Sequence, residues 1–221
     1  MSGKIGILFS GLGYETGTQL LEIPFIFREI ERAGATSICL IPSELVPRAG
    51  RGKPISRRDL FDECAPLIRG EVIKIDDAVP AQLKGLIIPG GRGPITVLSD
   101  IAESGVDARI VRPVLDLIIG MHVRNKPIGS LGYGSALILV ALKKSNEEPI
   151  VTLGDDAALI ASLSALGIAP VNVGPQDVIF DEDNRLFSAA GISPGNSIAK
   201  GADGVEELTK SIVEFKEKKK R

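Results

Sequence analysis

The chain has 221 residues, enough to bury a sizeable core, and 26 basic against 28 acidic residues give it a net charge of −2. This near-neutral balance argues against nucleic-acid binding, and two cysteines with one histidine argue against a disulfide framework or an ordinary zinc site. Hydrophobic residues make up 44% and aromatic residues only 4%, a composition typical of parallel sheets covered by helices.

Strands and helices alternate along the chain, since short apolar runs predict strands and apolar residues at helical spacing predict helices. The predicted strands are 4–10, 36–41, 71–75, 85–88, the strand leading into 129–132, 151–153, 177–180 and 185–188. The predicted helices are 19–32, 57–68, 110–123, 136–142, 155–166 and 197–215. This order predicts one doubly wound α/β domain over 1–221, with a mostly parallel sheet, helices on both faces and a flexible basic tail from about 216.

The segment 126–135 has the pattern of a nucleophile elbow, a very tight turn between a buried strand and a helix. Its central residue is Gly132, which has no side chain to aim into a pocket. Neither Ser130 nor Ser135 lies between two glycines at the spacing of a serine nucleophile. The sequence therefore predicts the scaffold of an active site without its attacking atom.

Two further glycine-rich loops, 11–17 and 89–94, follow predicted strands, so we expect them beside the elbow at the carboxyl edge of the sheet. The first contains Gly-x-Gly-x-x-x-Gly, which also fits a dinucleotide-binding loop, but the second strand ends Leu40–Ile41–Pro42–Ser43 without the acidic residue that would hold a ribose. A tight turn that needs glycine is the simpler interpretation of this loop.

The second loop supplies backbone donors. The amides of Gly91 and of the elbow residue Tyr133 are predicted to converge on an oxyanion, with Gly90 beside them and Arg92 adding positive charge. A Pro-Gly-Gly turn that only ends a strand is the alternative interpretation.

Glu22 is the carboxylate that the pattern singles out, because it stands among Leu20, Leu21, Ile23 and Pro24 near the start of the first helix. An isolated acid on an apolar face has a raised pKa and is suited to donating or accepting a proton. The alternative is a solvent-facing helix residue.

These features together resemble the PfpI superfamily, with a fold like that of class I glutamine amidotransferases, and in particular its ElbB branch of enhancing lycopene biosynthesis (sigma cross-reacting) proteins. The residues that carry the resemblance run in family order and are 4–13, Glu22, 69–71, 86–91, 126–129 and 181–184. The resemblance implies a flavodoxin-like fold, a homodimer, an active-site glutamate at Glu22 and oxyanion amides at Gly91 and Tyr133. It places the reactive cysteine of the family at Gly132, so that role does not transfer.

Three hypotheses follow for the function. The first is a protein without cysteine chemistry whose pocket of Glu22, Gly91, Arg92 and Tyr133 binds a small anion or carbonyl compound. The second is a glyoxalase-like lyase or hydratase that acts on small aldehydes through Glu22, with glyoxalase-like activity being what the resemblance implies. The third is a homodimeric structural or interaction protein. We expect no cofactor, metal, nucleic acid or membrane partner, and a cytoplasmic location.

Overall fold

The computed structural model describes residues 3–42, 45–47, 57–68, 70–78, 80–143, 148–154, 157–164 and 170–216. The predicted basic tail beyond residue 216 lies outside these ranges.

The described residues form a seven-stranded sheet and a separate two-stranded hairpin. The strands are β1 (Lys4–Leu8), β2 (Ser37–Ile41), β3 (Leu45–Pro47), β4 (Arg57–Asp59), β5 (Glu71–Lys74), β6 (Leu83–Ile88), β7 (Ile128–Leu131), β8 (Val178–Asp181) and β9 (Leu186–Ala189). The order across the large sheet is β5-β2-β1-β6-β7-β9-β8, and every pair in it is parallel except β8 with β9.

Helices cover this sheet on two sides. They are α1 (Ile23–Arg32), α2 (Leu60–Cys64), α3 (Gly93–Thr96), α4 (Ile101–Ser104), α5 (Arg112–His122), α6 (Tyr133–Lys143), α7 (Ala157–Ser164) and α8 (Ile198–Glu214). Short 3₁₀ turns lie at Ala65–Leu67, Ile75–Asp77, Pro80–Gln82 and Gly105–Asp107. The architecture confirms the predicted doubly wound fold with a mostly parallel sheet.

The core has two halves, one on each face of the sheet. Alternation along β6 shows the division, since Leu86 and Ile88 pack with α5 and α6 while Ile87 packs with α1 and α8. Strands buried on both faces must be apolar almost throughout, which accounts for the strand composition read from the sequence. The chain turns from one side of β1 to the other between β5 and β6, so the switch point lies between β1 and β6.

The sequence predicted that the first helix begins at residue 19, but helix α1 begins at Ile23. Pro24 suits the first helical turn because it needs no backbone hydrogen bond there, and residues 19–22 form turns instead. Ile26 and Ile30 are the buried face of the helix, and Gly34 at φ +67° ends it as expected. Glu22 therefore lies just before the helix and not on its surface.

Two other predicted elements were wrong. The helix over 57–68 is a strand, a five-residue helix and a 3₁₀ turn in succession. The strand at 151–153 is an extended segment without a ladder, because it is joined to the sheet through side chains: the Thr152 N–H donates to Ser188 Oγ at 2.9 Å and the Ile150 N–H to Asp181 Oδ2 at 2.8 Å.

Candidate functional site

Three loops that follow parallel strands lie together at the carboxyl edge of the sheet, as the strand order requires. They are 11–17 after β1, 89–94 after β6 and the elbow at Gly132 after β7. Backbone bonds join the first two loops, since the Arg92 N–H donates to Tyr14 O at 2.6 Å and the Gly93 N–H to Gly17 O at 2.9 Å. The structure thus brings together the loops that the sequence singled out.

A fourth loop, 190–197, follows β9 and reaches the same edge. Asn196 closes it, because its Oδ1 accepts the Ser193 N–H at 3.2 Å and its Nδ2 donates to Gly191 O at 3.1 Å. The sequence pattern had not pointed to this loop. The signal that could have found it is the run Gly-Ile-Ser-Pro-Gly at 191–195, shortly after the predicted strand 185–188. Like the other loops, this run contains turn-forming glycine residues.

Glu22 is 1% exposed, so the solvent-facing interpretation of this residue is wrong. Its carboxylate lies between two of the loops: Oε2 accepts the Gly90 N–H at 2.7 Å, and Oε1 accepts the Ile192 N–H at 2.9 Å. The packing is close on the second side, where a Cβ atom on Gly191 would lie 2.4 Å from Oε1. Both oxygens are therefore held in one fixed orientation.

Burial raises the pKa of Glu22 from 4.5 to about 7, and the hydrogen bonds from Gly90 and Ile192 oppose that rise. The loss of hydration outweighs the two backbone donors because the carboxylate is removed from water altogether. Near neutral pH the side chain is thus divided between its neutral and ionised forms. A neutral Glu22 carries an O–H donor, and an ionised one is an acceptor only.

The elbow is formed by Gly132, at φ +46° between β7 and α6. A Cβ atom there would meet Ala190 O at 3.1 Å, which is tight but within reach of a small backbone adjustment. Beneath the turn, the fully buried hydroxyls of Ser130 and Ser135 lie 2.8 Å apart and hydrogen-bond to each other. These serines hold the strand against the helix and do not line the pocket described next.

A pocket of about 270 Å³ opens between the four loops. Its lining residues are Tyr14, Glu22, Gly90, Gly91, Gly132, Tyr133, Leu153, Ala190, Ile192, Ser193, Pro194 and Gly195. Five of the residues singled out from the sequence thus line one pocket. Tyr14 comes from the loop 11–17, which the sequence singled out, whereas Leu153 and the lining residues of the fourth loop were not indicated by the sequence.

Arg92 is the candidate that lies outside the lining. Its guanidinium is 5.8 Å from the centre of the Tyr133 ring, within the range of a cation–π contact, and its Nε is 3.9 Å from a carboxylate oxygen of Glu15. The ring of Tyr133 itself is 6.5 Å from that of Tyr14. Arg92 therefore places a positive charge beside Tyr133 without lining the pocket itself, and we call this edge of the pocket its mouth.

Other chemistry-bearing residues lie elsewhere. Both cysteines of the chain are buried: Cys39 in β2, where burial raises its thiol pKa to about 12, and Cys64 at the end of α2. His122 is in the last turn of α5. Within the described ranges, no group of three His, Cys, Asp or Glu side chains is arranged to hold a metal ion. Nor does any helix of that part of the chain have the length and apolar character needed to span a membrane.

Comparison with curated proteins finds relatives along nearly the whole chain, although no protein-family model matches it. The chain is 23% identical over 228 residues to the mitochondrial ES1 protein homolog of Rattus norvegicus, covering 96% of this chain and 84% of that protein. It is 22% identical over 230 residues to the mitochondrial glutamine amidotransferase-like class 1 domain-containing protein 3 of Homo sapiens, covering 97% and 84%.

Solved structures share the fold. An isoprenoid biosynthesis protein with an amidotransferase-like domain from Ehrlichia chaffeensis superposes with a TM-score of 0.82 at 21% identity, over 95% of this chain and 98% of that one. A ThiJ/PfpI domain protein from Brachyspira murdochii gives a TM-score of 0.56 at 14% identity, over 96% and 95%. These comparisons confirm the resemblance drawn from the motifs. The chain is a homologue of the proteins named ES1 and glutamine amidotransferase-like class 1 domain-containing protein, and it has the fold of the ThiJ/PfpI proteins.

Proposed function

We propose that this protein binds a small carboxylate or carbonyl compound in the pocket at Glu22 and carries out no thiol chemistry there. The observation that carries the proposal is a fully buried carboxyl with a pKa of about 7 in the wall of a pocket whose elbow residue is Gly132. A carboxyl of this kind is neutral often enough at physiological pH to donate a hydrogen bond to an oxygen of the ligand.

The proposed absence of thiol chemistry rests on the positions of the two cysteine thiols. The chain has two cysteines, and both pack in the core on the α1 and α8 side of the sheet. Neither Cys39 nor Cys64 lines the pocket. Covalent catalysis at the elbow needs a nucleophilic side chain, and Gly132 offers none.

The size and polarity of the pocket support a small ligand. Its volume of about 270 Å³ is below the range typical of drug-sized ligands. Gly91 and Tyr133 belong to its lining, and we assign their backbone amides as further donors to the ligand oxygen. Arg92 at the mouth adds a positive charge that attracts an anion.

The position of the Glu22 pKa favours a second candidate, a glyoxalase-like hydratase or lyase. A base that is half ionised near neutral pH is well matched to removing a proton from water. In the hydration step, water adds to the aldehyde carbon as the ionised Glu22 takes a proton from it. The protonated Glu22 then returns that proton to the former carbonyl oxygen, which gives the neutral hydrate and regenerates the carboxylate. The homodimer and the cytoplasmic location stay predictions, and the curated relatives are themselves named as mitochondrial.

An amide NMR titration tests the binding proposal directly. We use pyruvate, which carries a carboxylate and a carbonyl, and methylglyoxal, which has the same carbon skeleton with an aldehyde in place of the carboxylate. The proposal predicts saturable shifts concentrated at the amides of Gly91, Tyr133 and Ile192. Shifts that do not saturate with either compound, or that spread evenly over the surface, would overturn it.

A further inference from the structure

We propose that Ser193 is the ligand-binding hydroxyl of this pocket and that, with Glu22, it selects a small carboxylate rather than a neutral carbonyl compound. This inference rests on the function proposed above and goes further by naming a residue and a ligand class. Ser193 lies in the fourth loop, which the sequence motifs did not indicate.

The hydroxyl oxygen of Ser193 is buried, and within the described chain no donor or acceptor lies at hydrogen-bond distance from it. Ser193 is nevertheless one of the residues that line the pocket, together with Glu22. Leaving a buried hydroxyl without a partner is costly, and such groups in folded proteins call for a specific explanation. A ligand oxygen in the pocket satisfies it.

The backbone around Ser193 is fixed without help from its side chain. The Ser193 N–H donates to Asn196 Oδ1 at 3.2 Å, and the Asn196 N–H donates back to Ser193 O at 3.3 Å. On the other side, the Ile192 carbonyl accepts Gln19 Nε2 at 2.9 Å, and the Ile192 N–H is bound to Glu22. Because the main chain is held at both ends, the hydroxyl is positioned in advance, and little conformational entropy is lost when a ligand binds.

Two polar residues of the lining indicate the ligand class. Ser193 follows directly after Ile192, whose N–H is bound to Glu22, so Ser193 and Glu22 line the pocket from adjoining segments. A neutral Glu22 donates to one oxygen, and the Ser193 hydroxyl donates to another. Two adjacent acceptor oxygens with a negative charge describe a carboxylate, and the guanidinium of Arg92 at the mouth complements that charge.

The first test replaces the hydroxyl. In Ser193→Ala we expect the affinity for pyruvate, measured by calorimetry, to fall about tenfold, since one hydrogen bond to a charged ligand is lost. The unfolding free energy should be unchanged or higher, because a buried unpaired hydroxyl has been removed. Ser197→Ala is the matched control: Ser197 lies in the same loop, is exposed, makes no capping bond from its side chain and is absent from the lining. Its affinity for pyruvate should equal that of the wild type.

The second test places a probe at the same position. Ser193→Cys introduces a thiol in the pocket, whereas the two native cysteines are buried in the core. We expect alkylation by iodoacetamide at this position, slowed at least about fivefold by saturating pyruvate and little affected by hydroxyacetone. Hydroxyacetone is a neutral carbonyl compound with the same carbon skeleton, and unlike methylglyoxal it has no aldehyde that adds to the thiol.

The outcomes separate the two proposals. If the wild type binds pyruvate but Ser193→Ala binds it equally well and pyruvate gives the cysteine no protection, the assignment of Ser193 is overturned and the binding function stands. If hydroxyacetone protects as well as pyruvate, selection of a carboxylate is overturned. If the wild type binds neither pyruvate nor methylglyoxal, both proposals fall.

Discussion

The backbone N–H of Ile192 donates to Glu22 Oε1 at 2.9 Å, joining the loop after β9 to the residue that precedes α1. The Gly90 N–H holds the other carboxylate oxygen at 2.7 Å. One side chain thus ties two loops of the pocket together and also presents a titratable group to it. Its protonation state must therefore influence both the stability of the fold and the binding of a ligand.

We predict that wild-type stability falls as the pH rises from about 4.5 to above 7. The pKa of Glu22 is about 7 in the folded protein and 4.5 when unfolded, so between these values the folded state holds a proton that the unfolded state has lost. Stability from this group is fully present below the lower value and is lost as the pH passes through the upper one, by about 3 kcal/mol in all.

Denaturant unfolding of the wild type and of Glu22→Gln from about pH 5 to about pH 8 checks this. Glutamine offers one acceptor oxygen to two backbone donors, so at low pH the variant should be less stable than the wild type by about 1–3 kcal/mol. Its stability should not fall as the pH rises, because glutamine does not titrate. Glu15→Gln changes an exposed carboxylate near the pocket mouth and should follow the wild type. Parallel curves for the wild type and Glu22→Gln would contradict the assignment.

Gly191→Ala should displace the carboxylate. Gly191 has φ +70°, and an added Cβ would lie 2.4 Å from Glu22 Oε1. Gly34→Ala is a matched control, since Gly34 has φ +67° with nothing within 4 Å of its Cβ position. We expect the control to lose about 1–2 kcal/mol from backbone strain alone. Gly191→Ala should lose at least about 2 kcal/mol more and should no longer bind pyruvate. Equal stability losses would show that the carboxylate is free to move.

Gly132→Cys should restore thiol reactivity at the elbow. The Cβ position is 3.1 Å from Ala190 O, so a small adjustment accommodates a side chain despite the strain of φ +46°. We expect iodoacetamide labelling at least about tenfold faster than in the wild type, and consumption of methylglyoxal that the wild type lacks. Gly132→Ala adds the same Cβ without sulfur and should show neither.

The same assay decides whether the second candidate function holds. Methylglyoxal turnover by the wild type that Glu22→Gln abolishes would replace the binding proposal with the hydratase or lyase. A silent wild type beside an active Gly132→Cys would show an intact scaffold without its nucleophile.

Arg92→Gln should weaken pyruvate binding by about threefold at low salt, because the guanidinium lies at the mouth of the pocket and is partly exposed. The difference should shrink as salt is raised to about 1 M, and methylglyoxal binding should not change. Arg112→Gln removes an exposed ion pair with Asp116 on α5, outside the pocket lining, and serves as the control. Equal effects of the two substitutions would indicate only a change of net charge.

The sequence predicted the sheet because its strands are buried on both faces and read as uninterrupted apolar runs. It also predicted that loops after β1, β6 and β7 meet, since the carboxyl ends of parallel strands share an edge. It did not predict the hairpin of β3 and β4, whose two strands have three residues each, too few for a periodic signal.

The parts of the site that lie in glycine-rich loops were predictable from the sequence. The parts that depend on contacts between distant segments of the chain were not. Glu22 stood out as a lone acid in an apolar stretch, but its orientation depends on Ile192, which is distant in sequence. Ser193 has no distinguishing feature in the sequence, and the burial of its hydroxyl is evident only from the folded 190–197 loop. The segment 151–153 was predicted as a strand because it is an apolar run, but it forms no ladder with the sheet. The Thr152 N–H donates to a side chain, Ser188 Oγ, and the Val151 carbonyl accepts the N–H of Val171.

The most direct test of the central claim is the affinity for pyruvate as a function of pH, measured by calorimetry on the wild type and Glu22→Gln. Pyruvate stays ionised over the range used, so an ionised Glu22 opposes its binding and a neutral one donates to it. The account predicts a constant affinity below about pH 6 that weakens about tenfold for each pH unit well above 7, with no such dependence in Glu22→Gln. An affinity that is independent of pH in the wild type, or a dependence that persists in the variant, would contradict it.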